Sequence, residues 1–129
     1  MKRSALAGAM LAFMINGACA ANWTTLIEGS TTAVYVDTSS VVHDKNLTRT
    51  RVRVVFGDPQ PYSAPFPTKS MVSLWSFNCA DKTWSMGETT MVGTAPGEVS
   101  VSPEYPDDYD NVVPDSMQKL VMDYVCKKS

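Results

Sequence analysis

Two cysteines, far apart in the sequence, constrain the fold of this chain most. Cys79 closes the apolar run MVSLWSFNC at residues 71–79, and Cys126 lies in the closing YVCKKS. The run reads as a central β-strand and the segment around Cys126 as the last helix. A bond between them would clamp that helix to a sheet. The loop so closed spans about fifty residues, for which chain entropy gives about 4 kcal/mol of stabilisation.

Whether the pair is oxidised depends on the compartment, and the N-terminus speaks to that. Lys2 and Arg3 precede an apolar run over residues 6–15. About 10 apolar residues suit a signal-peptide core and are too few to span a bilayer. Ala18-Cys19-Ala20 has the small-x-small form of a cleavage site. Residues 1–20 are therefore expected to be a signal peptide, and residues 21–129 a single domain. A second outcome stays open. Lipoprotein signals end on a cysteine that becomes acylated, which would be Cys19, but Asn16 stands where an aliphatic residue is usual. On either reading the mature chain is exported, to the periplasm or the cell surface, as an outer-membrane lipoprotein if Cys19 is acylated. An even cysteine count in an oxidising compartment reads as a Cys79–Cys126 disulfide.

Charge narrows the partners. Residues 1–20 carry two of the 11 basic residues and none of the 13 acidic ones, so the mature chain has net charge −4 with His43 neutral. An acidic domain of this kind is not built for general nucleic-acid binding. No stretch after the signal is apolar enough for an integral membrane span.

Strand signals dominate the middle of the chain. Residues 23–27 and 32–37 read as strands, 38–40 as a tight turn, and 43–46 as a second turn. Residues 47–56 alternate: Thr48, Thr50, Val52, Val54 and Phe56 share one face, and Leu47, Arg49, Arg51, Arg53 and Val55 the other. That is the pattern of a half-buried antiparallel strand. Four prolines between residues 57 and 69 predict an exposed loop. Residues 71–79 and 84–92 predict a hairpin around Asp81-Lys82, pairing Cys79 with Trp84, Phe77 with Met86 and Met71 with Val92. Its core face would carry Trp75, Phe77, Cys79, Trp84 and Met86. Residues 98–101 predict a short edge strand and residues 102–111 a solvated acidic loop. A helix is expected over residues 116–127, capped by Asp115 with Gln118, with Met117, Leu120, Val121 and Tyr124 as its apolar face and Lys119 and Asp123 on a polar stripe. On that reading Cys126 reaches the sheet only if the packed face widens through Met122 and Val125.

Little of this predicts catalysis. His43 is the only histidine and sits in a turn beside Asp44, where neighbouring side chains point apart. No catalytic residue, metal site or cofactor is expected. Asp107, Asp108 and Asp110 lack the spacing and glycine of a calcium loop, and Met86 and Met91 read as core filling rather than copper ligands. Arg49, Arg51 and Arg53, about 7 Å apart along one strand face, are the candidate binding patch, with Lys69 as an extension. Their neutral reading is cross-strand pairing to carboxylates. Their functional reading is docking of an acidic or sulfated partner.

The chain also resembles a known family. Trp23, the segment VYVDTSSV at residues 34–41, the arginine-rich strand, Ser70, Phe77-Asn78-Cys79, Val112-Val113-Pro114-Asp115-Ser116 and Val125-Cys126 are similar to the surface-adhesin protein E family of Gram-negative bacteria. The resemblance implies a small antiparallel sheet with a disulfide-held C-terminal helix in an outer-membrane or periplasmic setting. It also implies adhesion to host matrix proteins such as vitronectin and laminin, the property of the family's lipoprotein namesake. The expected fold is therefore α+β, with about five or six antiparallel strands and a C-terminal helix tied to one face. The expected function is a non-catalytic exported module that binds a protein or acidic polymer through the open sheet face or the Pro-rich loop. The alternative is a structural or inhibitory component that binds the cell's own envelope proteins.

Overall fold

The alternating segment becomes the centre of a meander. The computed structural model describes residues 20–61, 64–103 and 108–127. The signal segment with Cys19 and part of the acidic loop, including Asp107, lie outside the described residues. The strands are β1 (Trp23–Glu28), β2 (Thr32–Asp44), β3 (Leu47–Gln60), β4 (Thr68–Asn78), β5 (Thr83–Val92), β6 (Val99–Ser102) and the two-residue β7 (Asp110–Asn111), followed by helix α1 (Met117–Lys127). β1 to β6 pair in chain order, each antiparallel to its neighbours, and β7 adds to β5 beyond the end of β6.

One face of this sheet is the core. Every second residue of β3 from Thr48 to Phe56 is buried, as period-two alternation requires of a strand covered on one side. Val34 and Val36 of β2, Met71, Trp75 and Phe77 of β4, and Met91 of β5 join it. The Trp75 ring lies edge-on to Phe77, with centroids 6.3 Å apart, and 5.1 Å from Trp84. Its indole N–H donates to Ser73 Oγ at 2.8 Å, so the buried ring carries no unpaired donor. Helix α1 covers this face with Val121, Met122 and Val125 buried. Cys79 and Cys126 are bonded, with Cα atoms 5.9 Å apart.

Several local expectations change. The hairpin between β4 and β5 pairs Phe77 with Trp84 and Trp75 with Met86, two residues from the predicted register. An even slip keeps every side chain on its face, so the predicted core set survives. β5 then bulges where Gly87 and Glu88 oppose Leu74, which recovers one of the two residues, so Met71 meets Met91, one short of the predicted Val92. The predicted turn at residues 38–40 is also a bulge, since Thr38 to Val41 face only Thr50 across the ladder. The Ser40 hydroxyl replaces the lost ladder acceptor, taking the Arg51 N–H at 2.9 Å and donating to the Asp37 carbonyl at 2.7 Å. The Pro-rich loop is shorter than expected, because β3 runs to Gln60, which pairs with Thr68.

The helix also shifts its details. Ser116, not Asp115, caps it: Ser116 Oγ accepts the Lys119 N–H at 3.1 Å and donates to the Val113 carbonyl at 2.6 Å. Asp115 has a φ of 63°, which breaks the extended geometry an N-cap needs. The packed face is rotated toward Met122 and Val125, and this rotation brings Cys126 to the sheet. The polar stripe forms as expected, with Lys119 and Asp123 paired at 2.6 Å.

Candidate functional site

The sheet face away from the core is open, and its side chains fall in rows fixed by register. One row runs Trp23, Asp37, Arg51, Leu74 across β1 to β4. The next runs Thr25, Tyr35, Arg53, Val72, Thr90, Val101 across β1 to β6. Val92 and Val99 pair beside it, and Val42 sits opposite Arg49. Five large apolar residues are exposed here, Val42, Leu74, Val92, Val99 and Val101, the last two at 57% each. Ile27 and Val113 are the other large apolar residues exposed among the described ones, and a contiguous exposed apolar patch is a mark of an interaction surface.

Between the rows is a shallow depression of about 560 Å³ lined by Trp23, Arg51, Val72, Leu74, Glu88 and Val92. Asp37 fixes one of its walls. The carboxylate, 5% exposed, accepts the Asn22 N–H at 2.9 Å, the Ser39 N–H at 3.0 Å and the Ser39 hydroxyl at 2.6 Å, all on Oδ1. This ties the residue before Trp23 to the β2 bulge. Burial alone would push the Asp37 carboxyl up. The Ser39 hydroxyl, the two backbone donors and the Arg51 charge outweigh it and hold the carboxyl below its ordinary value of 3.8.

The three arginines share this face but have different surroundings. Arg49 lies 3.7 Å from Asp44, with both side chains solvated, an arrangement that contributes little. The Arg53 guanidinium stands 5.7 Å from the Tyr35 ring centroid, within cation–π reach. Among the described residues, neither Arg51 nor Arg53 has a carboxylate within ion-pair distance. Arg51 stands across from the Asp37 carboxylate and interacts with it at longer range than a salt bridge, while Arg49 has the direct contact. Lys69 is exposed on β4, one position before Ser70, so alternation turns it from the face that Arg53 and Val72 occupy. Glu88, thrust out by the β5 bulge, faces Arg51 across β4 and has no ion pair among the described residues.

His43 Nδ1 is 3.0 Å from Thr48 Oγ1 at an exposed strand end. Among the described residues, no group of histidine, cysteine and carboxylate side chains is placed to hold a metal ion. Met91 is buried in the core and Met86 packs against it. Asp108 and Asp110 rim a smaller hollow of about 190 Å³ beside Trp84. No described helix is long and apolar enough to cross a membrane.

A sequence model of the surface-adhesin protein E family matches residues 23–127. The chain belongs to that family. Membership implies an exported protein and an adhesin rather than an enzyme. Among curated proteins no sequence matches. Solved structures of Haemophilus influenzae protein E share the fold. One superposes with a TM-score of 0.55 at 15% identity, covering 82% of this chain and 84% of its own. A second crystal form gives 0.52 at 16%, covering 74% and 80%. Protein E from a non-typeable strain gives 0.52 at 16%, covering 81% and 75%. Identity this low carries over the architecture and nothing about individual side chains. Sequence reasoning found the arginine row of this family member but missed Trp23, Val72, Leu74, Glu88 and Val92 as its neighbours. They come from three other strands, and only the register brings them together.

Proposed function

We propose that this protein is an exported, adhesin-like, non-catalytic module that holds a protein ligand on the outer face of its sheet. The supporting observation is the placing of Arg51 and Arg53, neither in a direct salt bridge among the described residues, beside an exposed apolar floor. A protein ligand can bury that floor and neutralise the arginines together. A purely anionic polymer would satisfy only the second. Host matrix proteins are the proposed class of ligand, as the family's adhesive character suggests.

Binding of the mature protein to immobilised vitronectin and laminin tests this, with Arg49, Arg51 and Arg53 replaced together by Glu. The expected result is saturable binding that the triple variant loses and that added salt weakens. Binding unchanged in the triple variant would remove the outer face from the account. Absence of binding by the native chain to either protein would remove matrix adhesion.

A further inference from the structure

The outer face has two banks of opposite charge, and this restricts what can lie on it. Arg51 lines the depression from β3, with Arg53 two positions along the same strand face, and Glu88 lines it from β5. Val72 and Leu74 of β4 lie between them. Strands are about 4.8 Å apart, so β3 and β5 stand about 10 Å apart across the apolar strip. We infer that the partner segment seated here is an amphipathic helix lying along β3 and β4, its acidic flank toward Arg51 and Arg53 and its basic flank toward Glu88. This rests on the outer-face reading above and names the chemistry of its ligand.

The dimensions favour a helix over other occupants. A helix with side chains is about 10–12 Å wide, which fills the distance between the banks. Arg51 and Arg53 are separated by two strand residues, about 7 Å. Side chains one helical turn apart are about 6 Å apart and can meet both. The apolar stripe between the flanks would rest on Val72, Leu74 and Val92. A single extended strand is about half as wide and could satisfy one bank only. A second copy of this chain in a two-fold arrangement would set Arg51 against the partner's carboxylate bank. It would supply one acidic group there for Arg51 and Arg53 together and leave one of them uncompensated. A sulfated polymer would lie against Glu88 and leave the apolar strip wet.

Fluorescence anisotropy with labelled synthetic peptides tests this on the full mature chain. The parent peptide is a helix of about five turns with Leu on its central stripe, Glu on one flank and Lys on the other. Three companions differ in one respect each: both flanks acidic, both flanks basic, or a central proline that breaks the helix. The parent is expected to bind best. Arg51→Ala and Arg53→Ala should each raise its Kd about threefold to fivefold. Glu88→Lys should weaken the parent and make the all-acidic peptide the better ligand. Equal binding of the proline peptide would overturn the helical occupant. Equal binding of the all-acidic peptide by the native chain would overturn the role of Glu88 and point to an anionic polymer. A dimer in sedimentation that Glu88→Lys dissociates would assign the face to a second copy and overturn the inference. If no peptide binds while the arginine variants still lose vitronectin or laminin, the helical partner falls and the outer-face reading stands. If matrix binding ignores the arginines, the outer-face reading itself falls.

Discussion

Replacing Cys79 and Cys126 together with Ala should cost about 4 kcal/mol without unfolding the domain. The cystine joins residues 47 apart in sequence, and closing a loop of that length removes about 4 kcal/mol of chain entropy from the unfolded state. Small domains have about 5–15 kcal/mol in total, so most of the margin goes. The helix does not depend on the bond alone. Val121, Met122 and Val125 are buried, and burial of three such side chains contributes about 5–8 kcal/mol. The variant is therefore expected to keep its helix and sheet in water and to melt about 15–20 °C lower. Urea unfolding followed by far-ultraviolet circular dichroism and by tryptophan fluorescence measures this. Trp75 sits in the core beside Trp84, so fluorescence reports on packing. Coincident curves with a shifted midpoint are expected. A loss under about 1 kcal/mol would refute the loop-entropy argument. Loss of helical signal in water with the sheet intact would refute the packing argument.

Other substitutions follow from single observations. Thr68 is fully buried and its hydroxyl has no hydrogen-bond partner among the described residues, so Thr68→Val should stabilise by about 1 kcal/mol in urea unfolding. Ser116→Ala removes the helix cap and should cost about 1 kcal/mol by the same measurement. Asp37 is held below its ordinary value in the fold, so the stability it adds is present above the unfolded value near 3.8 and lost as pH falls through the lower folded value. Thermal melts between pH 5 and pH 2 should show a shallower acid decline in Asp37→Asn than in the native chain, and an identical decline would contradict the role given to its donors.

The parts of this fold that depend on periodicity were legible in the sequence. Residues 47–56 alternate cleanly, and both of their faces are where the pattern puts them. The β4–β5 hairpin kept its core face despite a two-residue error in register, because parity survives an even slip. Bulges were not legible. Thr38-Ser39-Ser40 has turn composition, yet its hydroxyls repair a ladder instead of ending one. At Gly87 and Glu88 nothing local announces that two residues will oppose Leu74. The helix face was misjudged because Leu120 and Tyr124 outweigh Met122 and Val125 in apolar pattern, whereas the Cys126 bond and sheet contact decide the rotation. For the candidate site, the arginine spacing lies within one strand and could be read directly. The apolar strip and the opposing carboxylate come from other strands and required the pairing.

The most direct test of the outer face as the recognition surface is site-directed photo-crosslinking to vitronectin or laminin. A photoreactive residue at Thr90, in the floor of the outer face, is compared with one at Asp123, on the exposed side of the helix. Covalent capture from position 90 and none from position 123 is expected. Capture from position 123 alone would show that the ligand sits on the helix side and would contradict the account.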